Sequence, residues 1–73
     1  MSPLDAALEP VASLSERQRR VAELVAEGRS NREIAGELDA SVSLVKLELR
    51  IVCEKWGVSE RTQVAAIVGR LSA

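Results

Sequence analysis

At two places in this chain a serine stands three residues ahead of a glutamine or glutamate where an apolar run with helical spacing begins. Ser15 precedes Gln18, and Ser30 precedes Glu33. In such a capping box the serine hydroxyl accepts from the backbone N–H three residues on, and the longer side chain reaches back to the serine N–H. Each box therefore starts a helix at a defined residue. Behind Ser15 come Val21, Leu24 and Val25, with Gly28 placed to stop the helix, which predicts a first helix over about 16–27. Behind Ser30 come Ile34, Ala35 and Leu38, a second helix over about 31–38, broken at Asp39 and Ala40. Ser41 is the next N-cap candidate. Val45, Leu49, Val52 and Trp56 recur at helical spacing and predict a third helix over about 42–56, ended by Gly57. Ser59 is expected to cap a fourth, over about 60–71, whose apolar face is Val64, Ile67, Val68 and Leu71. No segment alternates with period two for long enough to make a strand. The fold class is all-α, with four short helices.

A chain of 73 residues holds one domain. Such a domain buries only about 60% of its unfolded surface, so its apolar residues must be well used. Trp56 is the sole aromatic, so the core is aliphatic. Pro3 and Pro10 punctuate the first thirteen residues, which read as a leader or linker before a domain over 14–73.

The chemistry is restricted. Without His and with only Cys53, the chain builds neither a Cys/His zinc site nor a Ser-His or Cys-His nucleophile pair. No glycine-rich phosphate loop is present. We therefore expect no enzyme activity and no cofactor. A lone cysteine forms no internal disulfide and suits a reducing cytoplasm. The opening MSPLDAALEP lacks the basic start and apolar run of a signal peptide, and no stretch is long and apolar enough to span a membrane. The module is expected to bind something, and two short helices joined by a tight break, the second longer, form the helix-turn-helix arrangement. Helices 2 and 3, joined through LDAS, match it. Ala35 is small enough to let them approach closely, and the outer face of helix 3 is left free to enter a major groove.

The residues themselves carry a resemblance. LSERQRRVAELVAEGRSNREIAGELDAS, then Val45-Lys46, then KWGVSERTQVAA, resembles the LuxR-type (LuxR/FixJ) helix-turn-helix of bacterial transcriptional regulators. The match covers residues 14–68. It implies a four-helix domain in which helix 3 reads duplex DNA and helix 4 contributes to a homodimer, with RNA polymerase or a regulatory protein as further partners. Three positions of helix 3 depart from the pattern: Leu44 replaces the usual Thr, Glu48 the usual His, and Ile51 a commonly polar residue.

Helix 3 positions outside its apolar stripe include Ser43, Lys46, Leu47 and Arg50, on one side at spacings of three and four. Lys46 and Arg50 suit base edges or phosphates, and Leu47 a thymine methyl. The bland reading is a solvated face with Glu54 pairing to Arg50; the resemblance favours DNA contact. Asn31 and Arg32 stand at the first turn of helix 2, where free N–H groups and the helix dipole favour phosphate. Arg61 is expected to fix the corner between helices 3 and 4, Arg17 to pair internally, and Cys53 to be a half-buried spectator. Val64, Ile67, Val68 and Leu71 are the expected dimer surface.

The net charge of −1 and pI near 5.4 oppose simple polyanion binding. Asp5 and Glu9 lie in the leader, however, and residues 14–73 hold ten basic against nine acidic side chains. The alternatives are a helix-turn-helix used as a protein-binding module through Val42, Leu44, Leu47 and Ile51, and a sigma-factor promoter-reading region. The GVSERTQVA close favours the LuxR type over the latter.

Overall fold

The computed structural model describes residues 14–72; the expected leader, residues 1–13, lies outside the described residues. Four α-helices follow one another: α1 (Glu16–Ala26), α2 (Asn31–Leu38), α3 (Val42–Trp56) and α4 (Arg61–Ser72). Among the described residues there is no strand. The all-α, four-helix architecture is the expected one.

Both capping boxes form. Ser15 Oγ accepts from the Gln18 N–H at 3.1 Å, and Gln18 Oε1 accepts from the Ser15 N–H at 3.0 Å. The Ser30–Glu33 pair repeats this at 3.1 and 2.9 Å. Ser41 Oγ accepts from the Leu44 N–H at 3.0 Å and starts α3. The start of α4 departs from expectation. Ser59 does not cap it, and the helix begins at Arg61. Gln63 Oε1 instead reaches back and accepts from the N–H groups of Ser59 and Glu60, both at 3.0 Å. One longer side chain thus satisfies two N–H groups that a helix start leaves without partners.

The first three helices end alike. Gly28, Asp39 and Gly57 take positive φ of 83°, 52° and 68°. The next residue then donates back: Arg29 N–H to Leu24 O at 3.1 Å, Ala40 N–H to Ala35 O at 2.9 Å, and Val58 N–H to Cys53 O at 2.9 Å. This six-to-one bond with a left-handed residue is the Schellman closure. It ends α1 at Ala26, one residue short of expectation, with Glu27 as C-cap. Asp39 does at the helix-turn-helix corner what glycine does at the other two, since a short polar side chain tolerates the left-handed region.

The core is aliphatic. Val21, Leu24, Ile34, Val45, Val52 and Val64 are fully buried, one to two from each helix. Each such burial stabilises by about 1.5–3 kcal/mol relative to exposure. Helix α1 packs chiefly on α4 and α3, and α2 on α3. Ala35 is buried too, at 5% exposure. Two residues of the expected α3 stripe, Leu49 and Trp56, are half-buried and pack against this cluster rather than inside it. Trp56 Nε1 is itself buried without a hydrogen-bond partner. Gln18, the buried polar residue, also ties α1 to α3: its Oε1 accepts from Lys55 Nζ at 3.0 Å.

Candidate nucleic-acid interface

The scaffold just described holds α3 by one side only. At roughly 100° per residue, Val45, Leu49, Val52 and Trp56 share the inward stripe. Ser43, Lys46, Leu47 and Arg50 fall on the opposite arc, and all four are exposed. Leu47 keeps 50% of its surface open, against 36% for Val42. Lys46 forms no ion pair among the described residues, whereas Arg50 Nε lies 3.4 Å from Glu54 Oε1. Both partners are well exposed, at 78% and 66%, so this surface pair adds little to stability.

The N-terminus of α3 adds to this face. Ser41 caps it, and its first turn carries no acidic residue. By contrast Glu16 and Glu33 occupy the first turns of α1 and α2. The positive end of the α3 dipole is therefore uncompensated by its own side chains. At α2 the Glu33 carboxylate is already engaged. Bonds from the Ser30 backbone, then the Ser30 hydroxyl network, with Arg29 nearby, hold it below the usual glutamate range despite a small opposing effect of desolvation.

Asn31 is half-buried and Arg32 exposed at the same helix start. Arg61 was expected to fix the α3–α4 corner. Its guanidinium instead spans to the α1–α2 turn, donating to Asn31 Oδ1 at 2.9 Å and to the Arg29 carbonyl at 2.8 Å. Asn31 thus has its side-chain carbonyl occupied by Arg61. This link joins residues thirty apart in sequence, and no local spacing signals it. Arg17 is exposed and makes no ion pair among the described residues, so its expected internal pairing is not found. Its neighbour Arg20 pairs with Glu23 at 3.5 Å, the spacing of one helical turn that Arg17 lacks on its own face.

The three departures in α3 separate in space. Glu48 is half-buried and lines a shallow groove with Ser15, Arg17, Gln18 and Leu38, on the flank facing α1. Leu44 and Ile51 are also half-buried. Val42 lies about 160° around the helix from Leu44, so these apolar residues do not make one patch; Leu44, Leu47 and Ile51 form a narrower strip. Cys53 is half-buried, as expected, and burial pushes its thiol above the usual range. On α4, Val64 is fully buried in the core, which leaves Ile67, Val68 and Leu71, all half-buried, with apolar surface to offer. No metal-holding group of His, Cys, Asp and Glu occurs among the described residues. No helix among them is long and apolar enough to cross a membrane.

The chain is 38% identical over 61 residues to the transcriptional regulatory protein LiaR of Bacillus subtilis (strain 168), covering 84% of this chain and 29% of that protein. It is 36% identical over 61 residues to the putative HTH-type transcriptional regulator YhjB of Escherichia coli (strain K12), covering 84% and 30%. It is 40% identical over 55 residues to the monoamine regulon transcriptional regulator of Klebsiella aerogenes, covering 75% and 24%. The chain thus spans less than a third of the length of these relatives. No solved structure is a significant match. The family model for bacterial regulatory proteins of the luxR family matches residues 12–68, enclosing both halves of the helix-turn-helix, and the chain belongs to that family.

Proposed function

We propose that this chain is a sequence-specific duplex-DNA-binding module of a cytoplasmic transcription regulator, with residues 14–73 as its unit. The carrying observation is the exposed arc of Ser43, Lys46, Leu47 and Arg50 on α3, beside the α2 start, in a luxR-family fold. Helix α3 enters the major groove, Lys46 and Arg50 contact base edges or phosphates, Leu47 meets a thymine methyl, and Asn31 and Arg32 grip the backbone. The relatives' names as transcriptional regulators support this role. Its work is recognition, without catalysis or cofactor. A homodimer through Ile67, Val68 and Leu71 would place two half-sites about one helical turn, 10–10.5 bp, apart. RNA polymerase or another regulatory protein is the further partner consistent with this role.

A salt titration of duplex-DNA binding tests the reading. Each phosphate neutralised contributes a slope of about −0.9 in log affinity against log salt. With few unpaired cations on the face, the wild-type slope should be shallow, and Lys46→Ala should flatten it further by about one unit. Absence of binding at low salt overturns the proposal and would favour a protein partner for the Leu44–Leu47–Ile51 strip. Unaltered binding in both Lys46→Ala and Arg50→Ala would overturn the placement of α3. Sedimentation on and off DNA checks the dimer, and a strict monomer in both removes it.

A further inference from the structure

Glu54 shares the groove-facing arc of α3 with Arg50, one turn along at i+4. An exposed carboxylate there is repelled by phosphate, so its presence lowers the affinity of the whole face for any polyanion. Lys46 on the same arc has no ion-pair partner among the described residues, while Arg50 forms an ion pair on its Nε side, 3.4 Å from Glu54 Oε1. The two cations therefore differ: Lys46 is a point charge without an ion pair among the described residues, and Arg50 is a planar fork in ion-pair contact on one side.

Resting on the DNA-binding reading above, we propose that Glu54 is a positioning residue for base recognition, holding Arg50 by Nε so that its two terminal nitrogens face the groove. Guanine offers two acceptors, O6 and N7, to such an edge, and a guanidinium matches them bidentately only in a defined orientation. In free solution the exposed pair is weak and screened. In the groove, water leaves and the local dielectric falls, so the same pair strengthens as the base contact forms. Glu54 thereby trades general affinity for discrimination. It lowers attraction to every sequence by its charge and raises the advantage of a site with guanine opposite Arg50.

The test uses the 73-residue chain with Glu54→Ala, Glu54→Gln, Arg50→Ala and Arg50→Ala/Glu54→Ala. The probes are a duplex selected by the wild type from a random library, its guanine-substituted versions, and an unrelated duplex of equal length. Glu54 is largely exposed, so the variants should fold, and far-UV circular dichroism confirms it. The expected result for Glu54→Ala is tighter binding to the unrelated duplex, with a salt slope steeper by about one. The preference for the selected duplex should fall by about three- to tenfold, the order expected for loosening one bidentate base contact. Glu54→Gln, which keeps an acceptor without the charge, should fall between. In the Arg50→Ala background the Glu54 change should leave the preference untouched. Tighter binding to both duplexes with an unchanged ratio means that Glu54 only repels DNA, and it overturns the proposal while leaving DNA binding intact. An equal loss of preference with and without Arg50 overturns it as well, since Glu54 would then act by itself. A wild type that selects no duplex overturns both this proposal and the functional reading beneath it.

Discussion

Replacing Arg61 by alanine should loosen the whole domain, although the side chain is only half-buried and lies at a helix start. Its guanidinium makes two charge-assisted hydrogen bonds, to Asn31 Oδ1 at 2.9 Å and to the Arg29 carbonyl at 2.8 Å. Bonds to charged groups contribute about 1.5–3 kcal/mol each when well buried. Partial exposure lowers that, because water competes for both acceptors, so about 2 kcal/mol is expected for the pair. A domain of this size has a total stability of roughly 4–11 kcal/mol, so the loss is a large fraction of it. At 4–8 °C per kcal/mol for domains of 60–100 residues, the midpoint should fall by about 8–16 °C. Urea unfolding followed by the fluorescence of Trp56, the sole aromatic, measures the free-energy loss, and thermal unfolding followed by far-UV circular dichroism measures the midpoint. Arg61→Lys should recover less than half, since an ammonium cannot fork to both acceptors. Exposed Arg70→Ala is the control. A loss for Arg61→Ala no larger than that of the control would refute the idea that this link couples α4 to the α1–α2 turn.

Other outcomes follow from single features. Gly36 lies inside α2, and a Cβ there meets nothing within 4 Å, so Gly36→Ala should stabilise by about 1 kcal/mol in the same urea assay. Gly57→Ala has equal space but a φ of 68°, so it should destabilise by about 1 kcal/mol. The Glu33 carboxyl is held below its ordinary value mainly by the Ser30 bonds, so its contribution is present above the unfolded pKa. Lowering the pH from about 4.3 downward should remove that contribution, and the wild type should lose more stability over this range than Glu33→Gln. Burial raises the Cys53 thiol, so at pH 8 its alkylation by iodoacetamide should be slower than that of a cysteine in an unfolded peptide; equal rates would contradict the burial.

The helices were legible because their signals are local. A serine with its partner three residues on, and a glycine one residue past the last apolar position, act within a single turn, and α2 and α3 have the expected boundaries. The misplacement at α4 is local as well. Ser59 and Gln63 both offer an oxygen to the same N–H groups, and pattern alone does not decide between them; the longer amide reaches two donors at once. What sequence spacing could not show were bonds across the fold. Arg61 to Asn31 and Lys55 to Gln18 join residues 30 and 37 apart. Either basic residue, read in its own helix, is only a charge on a surface. The exposed arc of α3 was legible from spacing, since positions not used by the inward stripe of α3 must face out. Its electrostatic division, with Arg50 engaged and Lys46 not, depends on rotamers and became visible only in three dimensions. The burial of Val64 was hidden for a related reason: an apolar face of α4 reads the same whether α1 or a second chain covers it.

The three Schellman closures have a kinetic consequence. Each of the first three helices carries its own stop signal, made from atoms within six residues of one another, and each connection is only a few residues long. Little chain must be brought together before a helix end is complete, so the entropy of loop closure delays the search only slightly. Folding dominated by such near-neighbour contacts runs on the scale of about microseconds to milliseconds. A temperature jump read by Trp56 should therefore show one fast phase, and a slow phase carrying much of the amplitude would contradict this.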